Sequence, residues 1–255
     1  MRGNGDEPGR RGQSRRFGEP GEQAADPVVS PAALAANLTN ERGYGGTIRL
    51  LKNVMGLWLA QECRHAWERE GTPVSYAGLA ELARGAAPGG PLFDPDLPEL
   101  LAPGDMPERI RCACRRSGEE PPADRAVLIR SVFESLACKY RLVLEQIEQA
   151  SGEPLETVHV IGGGAQNGFL CELTANVLRR EVVAGPVEAA ALGNLLVQLE
   201  AFGELGGLTE MRALVRASAE LVRYEPDGEP ERWEALYDRF AGIVRAGDLE
   251  QERVA

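Results

Sequence analysis

VHVIGGGAQNGFLCELTANVLRREVVAGP, residues 158–186, reads as a strand, a glycine-rich turn, a helix and a second strand. A strand–turn–helix–strand unit is the building block of α/β folds. Three consecutive glycines, Gly162, Gly163 and Gly164, stand at the C-terminal end of the first strand. Without side chains there, something flat or charged can come close to the backbone.

Three nucleotide-binding patterns compete for this turn. The dinucleotide fingerprint GxGxxG can start at Gly162 and Gly164, but its last position falls on Asn167, which spoils close helix–strand packing. The phosphate-binding loop GxxxxGK[ST] matches in spacing at Gly163 and Gly168. Phe169 and Leu170 then stand where lysine and a hydroxyl are needed to hold phosphate charge and magnesium. An adenosine-type loop fits best. Its glycines let the backbone lie against a base or ribose, and Asn167 offers a donor and an acceptor together. A plain strand-to-helix turn remains open as the alternative.

Outward from this unit, residues 123–150 carry the clearest helix. Ile129, Phe133, Leu136, Tyr140, Val143, Leu144 and Ile147 recur at three- and four-residue spacing. Asp124 suits the N-cap and Gly152 ends the run. PVEAAALGNLLVQLEAFG reads as a helix with Pro186 near its first turn. MRALVRASAELVRYEPDG and PERWEALYDRFAGIVRAG read as two more helices. Upstream, Ala35 to Thr39 and TIRLL read as strands paired as a hairpin through the glycines of ERGYGG. A helical period starts at Asn53, and Ser75 caps a short helix. Residues 85–107, rich in proline and glycine, read as a long loop, followed by a short helix in PERIRCACRRSG. Strands alternating with helices make the class α/β.

Residues 1–30 differ. They are rich in Gly, Arg, Glu and Pro, with five arginines against five acids. Such a segment buries too little apolar surface to offset its ordering entropy, so a disordered extension is expected, with the folded domain in 31–255. The net charge of −11 argues against a nucleic-acid footprint. No apolar run is long enough for a membrane helix, and the first residues carry no secretory h-region. Five scattered cysteines read as reduced thiols of a cytoplasmic protein. Two histidines, His65 and His159, leave little for a metal site or a catalytic triad. Lys52 and Lys139 are the only lysines among 28 basic residues, which reads as coding bias. Glu41, Asp124 and Glu188 read as structural carboxylates, and none is nominated as a catalytic base.

The wider stretch LETVHVIGGGAQNGFLCELTANVLRREVVAGPVEAAALGNLLVQL resembles the C-terminal half of the FGGY carbohydrate kinases. ALAANLTNERGYGGTIRLLKNVMGLWLAQECRHAW points the same way, and LKNVMGLWL is similar to the branch that phosphorylates L-rhamnulose. The resemblance implies a ribonuclease-H-like domain of the actin and hexokinase type, a mixed sheet flanked by helices. It implies transfer of the γ-phosphoryl group of ATP, with Mg²⁺, to a ketose hydroxyl. Another ketose, such as fuculose or xylulose, stays open. Carried residue by residue, it makes Asn53 a sugar contact and Gln61 and Gly163 ATP contacts. Gly162, Gly164 and Asn167 join the ATP loop by inference.

The family's catalytic base and phosphate loops belong to an N-terminal domain. Neither His-Asp-Thr nor Gly-Thr-Trp-Ser occurs in this chain. The resemblance therefore implies a nucleotide-side domain that lacks the N-terminal catalytic half and has little or no turnover by itself. Its sheet is expected to carry an unpaired edge. A non-catalytic nucleotide-binding module, or a subunit pairing with a separate N-terminal half, is the alternative.

Overall fold

The computed structural model describes residues 26–254, with side chains as far as Leu249. Residues 1–25, most of the expected extension, lie outside the described residues. The end of that extension is held in place. Val28 is buried, and its backbone N–H and C=O bond the Asn40 side-chain amide, both at 2.9 Å.

The first helix, α1 (Pro31–Ala35), ends at the residue where the strand is expected to begin. Ser30 accepts from the Ala33 amide at 3.1 Å and Pro31 stands in the first turn, a strong start signal in five residues. The strand β1 is shifted to Thr39–Arg42 and pairs antiparallel with β2 (Ile48–Leu51). The hairpin reading holds, with Gly45 and Gly46 at positive φ in the connection.

Helix α2 runs from Trp58 to Arg69, so the helical period does not begin at Asn53. Residues 52–57 form neither helix nor strand. Helix α3 (Tyr76–Gly85) starts at the Ser75 cap as expected. The long loop that follows is packed: Leu92, Phe93 and Leu100 are fully buried. Helix α4 spans Met106–Arg116.

Helix α5 (Arg125–Ser151) is the frame of the molecule. Asp124 accepts from the Val127 amide at 2.9 Å, and Gly152 closes the helix at φ 78°. Residues 128–139 are all buried, because α5 is covered on several sides. Against it pack α3, α6 (Gly168–Leu178) and α9 (Pro230–Val254).

The sheet follows from the same pattern. Strand β3 (Thr157–Val160) lies parallel to β4 (Glu181–Ala184), and β5 (Val222–Tyr224) lies antiparallel on the far side of β4. It is a mixed sheet flanked by helices. Helix α6 is buried on two faces. Phe169, Leu170, Leu173, Val177 and Leu178 join the helical core, while Cys171 and Ala175 meet Val182 and Ala184 of the sheet. Two faces explain its nearly continuous apolar sequence. Among the described residues the outer edge of β3 has no strand on it.

Helix α7 spans Ala189–Ala201 and α8 spans Leu208–Ser218. Two expectations fail here. Pro186, expected near the first turn of α7, precedes the helix by three residues. Residues 211–228, expected as one helix, hold the end of α8 and then β5. Three residues are too few for an alternation to be read, and β5 is a strand only because β4 offers an edge.

Candidate functional site

The connections after β3 and β4 lie side by side, at the C-terminal ends of the two parallel strands. That is where open α/β sheets place ligands. Gly185 N–H bonds the Val160 carbonyl at 2.8 Å, and Gly162 N–H bonds the Pro186 carbonyl at 3.2 Å. The two loops therefore extend the strand ladder by one step and move together.

The glycine triplet forms a 3-10 turn, residues 162–166, between β3 and α6. Its three glycines differ in what demands them. Gly162 has φ 73°, which side chains rarely adopt. A Cβ on Gly164 would make ordinary contact with Val160, at 3.5 Å. Gly163 has an ordinary φ, and a Cβ there would meet nothing within 4 Å. No atom of the described chain requires glycine at 163, and the space above it is open to a ligand.

Asn167 plays a narrower part than its amide allows. Its Oδ1 accepts from the Leu170 amide at 3.0 Å as the N-cap of α6. One lone pair of the acceptor is engaged within the fold, and the Nδ2 donors have no partner among the described residues. Ile161 and Val187, flanking the two loops, are exposed apolar residues. Sequence reasoning passed over both, because an apolar residue at a strand end reads as core.

Tyr224 was missed for the same reason that β5 was. Its hydroxyl would stand 3.0 Å from a Cβ on Gly168, so it closes the base of the loop where α6 begins. Burial raises its phenol above the usual range, which keeps it a neutral donor.

Asn53 and Gln61 stand on other segments than the glycine turn. No hydrogen bond or ion pair among the described residues joins residues 52–61 to residues 161–168. Asn53 is exposed in the 52–57 segment and caps no helix, the cap position of α2 being Leu57. Gln61, half-buried, sits in the first turn of α2. Neither side-chain amide has a hydrogen-bond partner within the described residues. Both are free to meet a ligand.

Among the described residues no group of three His, Cys, Asp or Glu side chains is arranged to hold a metal, and no helix is long and apolar enough to cross a membrane. A cavity of about 370 Å³ opens between Asp94 and the ends of α4 and α9, near Arg116 and Asp248. None of the candidate residues lines it.

The model of the FGGY family of carbohydrate kinases, C-terminal domain, matches residues 21–202. The rhamnulokinase of Bacteroides thetaiotaomicron is 42% identical over 219 residues, covering 86% of this chain and 44% of that protein. The rhamnulokinase of Pectobacterium carotovorum is 40% identical, covering 83% and 42%. The chain thus spans less than half the length of these curated relatives. Among solved structures, the ligand-bound xylulose kinase from Lactobacillus acidophilus aligns with a TM-score of 0.60 at 15% identity, covering 88% of this chain and 44% of that one. The Plasmodium falciparum glycerol kinase with ADP aligns at 0.58 and 11%, covering 83% and 42%. At such identities the structural likeness speaks for the fold alone.

Proposed function

The chain belongs to the FGGY family of carbohydrate kinases through their C-terminal domain, and from that premise we propose that it is the ATP-binding side of a ketose kinase. The observation that carries this reading is Gly163: an ordinary φ, open space where a side chain would stand, and a place at the end of a parallel strand. Gly56, Gly85, Gly193, Gly242 and Gly247 share the ordinary φ and the open space, so it is the place at the C-terminal end of a parallel strand, where open α/β sheets bind ligands, that marks Gly163 out.

The adenosine part of ATP rests on Gly162, Gly163 and Gly164, with the Nδ2 donors of Asn167 and the amide of Gln61 as polar contacts. The apolar lip of Ile161 and Val187 keeps water from one side of the base. Mg²⁺ bound to the ATP phosphates would supply the positive charge that phosphoryl transfer needs. Asn53, able to donate and accept at once, meets a hydroxyl of the sugar. The names of the relatives near 40% identity support L-rhamnulose as that sugar.

In the reaction a ketose hydroxyl oxygen bonds to the γ-phosphorus, the bond to the β-phosphate oxygen breaks, and ADP leaves. The hydroxyl proton must pass to a base. No carboxylate of the described residues is assigned that role, and we place it on the family's N-terminal domain. Chemistry of this kind rests on positioning and charge around the phosphates, so this domain contributes binding and the counterpart contributes the base.

The test is a calorimetric titration of the chain with Mg·ATP. Gly163→Leu is expected to weaken binding at least tenfold, or about 1.4 kcal/mol, with an unchanged melting temperature, because the new side chain enters open space. Equal affinity in the two folded proteins would sink the nucleotide reading.

A further inference from the structure

The two lysines of this arginine-rich chain converge on one cluster. Lys139 of α5 is 5% exposed, and its ammonium lies 2.8 Å from Asp94 and 3.0 Å from Asp96. Burial by itself would depress that ammonium. The two carboxylates outweigh it and hold it above the usual range. Asp96 uses its other oxygen to accept the Met55 amide at 2.7 Å. Lys52 donates to Gln146, two turns further along α5, at 3.1 Å. Its own ammonium is lowered, first by burial and then by the charge of Lys139.

These contacts matter because of what they hold. Residues 52–57 have no helix or strand to set their path. Lys52 to Gln146 pins one end. Met55 to Asp96 pins the middle, and the Trp58 indole N–H, bonded to the Leu100 carbonyl at 3.3 Å, pins the start of α2. Asn53 lies between the first two pins. An arginine at 139 would bring a planar fork of five donors into a buried spot that offers two carboxylates already engaged elsewhere. A compact ammonium fits both. The lysine at this position therefore has a structural reason beyond coding bias.

We infer that Lys139 is a positioning residue for the sugar site: acting through Asp96, it fixes the Met55 amide and so the backbone from which Asn53 meets the ketose. This rests on the reading of Asn53 as a sugar contact. Without the cation, two half-buried carboxylates face each other, Asp96 turns away, and the Met55 N–H is left to water. A lysine that merely neutralised the core would instead change stability throughout the chain and leave no separate signature at residues 52–57.

Amide hydrogen exchange of the full chain tests this. Lys139→Met is expected to speed exchange at Met55 at least tenfold, with the β3 and β4 amides unchanged. In an Asp96→Ala background the same substitution is expected to add nothing, since its route is already cut. Unchanged exchange at Met55, or a further increase in the Asp96→Ala background, overturns the proposal. If Lys139→Met speeds exchange throughout the chain, Lys139→Gln, which keeps one donor group without the charge, is held to the same two criteria. L-rhamnulose added to the unmodified chain is then expected to slow exchange at residues 52–57. No slowing overturns the sugar reading of Asn53 and, with it, the positioning role of Lys139. It leaves nucleotide binding at Gly163 standing on its own test.

Discussion

Glu134→Ala is expected to cost about 3–5 kcal/mol of folding stability, the range for removing one partner of a buried ion pair. Glu134 is fully buried on α5, and its carboxylate accepts from Arg130 Nε at 2.7 Å and from the Gly89 amide at 3.1 Å. Arg130 in turn donates to the carbonyls of Ala83 and Ala86, at 3.1 and 3.0 Å, and its guanidinium lies over the Phe169 ring at 5.4 Å. One carboxylate thus ties α5 to the end of α3, the following loop and the first turn of α6.

Its loss leaves the buried Arg130 guanidinium without its carboxylate. Urea unfolding followed by the fluorescence of Trp58, Trp67 and Trp233 measures the cost. A loss under 1 kcal/mol with an unchanged denaturant slope would show that the pair contributes little. The double variant Arg130→Met, Glu134→Ala is expected to recover part of the loss, because it removes the stranded charge together with its partner.

Gly185→Val is expected to cost about 3 kcal/mol or more, from a strained backbone and a clash that the fold cannot relax cheaply. Gly185 has φ 112°, and a Cβ there would stand 2.6 Å from the Glu220 carbonyl oxygen and 3.3 Å from Leu221. The nearest obstacle is backbone, in the segment leading into β5. Relief requires β5 to move away from β4, or Gly185 to give up its hydrogen bond to Val160.

Either movement carries the Pro186 carbonyl away from Gly162, so nucleotide binding is expected to fall along with stability. For a domain of this size the melting temperature should drop by about 6–12 °C. A drop under 2 °C would mean that the two loops are not rigidly coupled. Gly163→Leu supplies the contrast. Gly185 is glycine because the fold leaves no room, whereas the fold leaves the space above Gly163 open.

Much of the architecture was legible from local signals. The seven apolar positions of α5, with Asp124 before and Gly152 after, specify that helix without knowledge of its neighbours. The β3–turn–α6–β4 unit was readable because its glycines stand between two patterns of different period. The same holds for the Ser75 cap and the β1–β2 hairpin. What failed was the assignment of elements too short to carry a period. Ala35 to Thr39 reads as extended, but the helix started by Ser30 and Pro31 runs to Ala35 and the strand begins only at Thr39. Val222 to Tyr224 looked helical because α8 precedes it.

The candidate site divides along the same line. The sequence by itself determined the glycine turn and its place after a strand, because residue type and spacing are local properties, while Asn53 and Gln61 were nominated only through the family resemblance. Only the tertiary structure decided that Asn167 keeps its acceptor for the α6 cap, that the loop after β4 locks Gly162, and that Lys139 answers to Asp94 and Asp96. Lys139 and Asp96 are 43 positions apart in the chain, and Gly185 and Glu220 are 35 apart. Contacts at such separations depend on how α5 is surrounded and how the sheet is ordered. No window of sequence holds both partners, so packing alone brings them together.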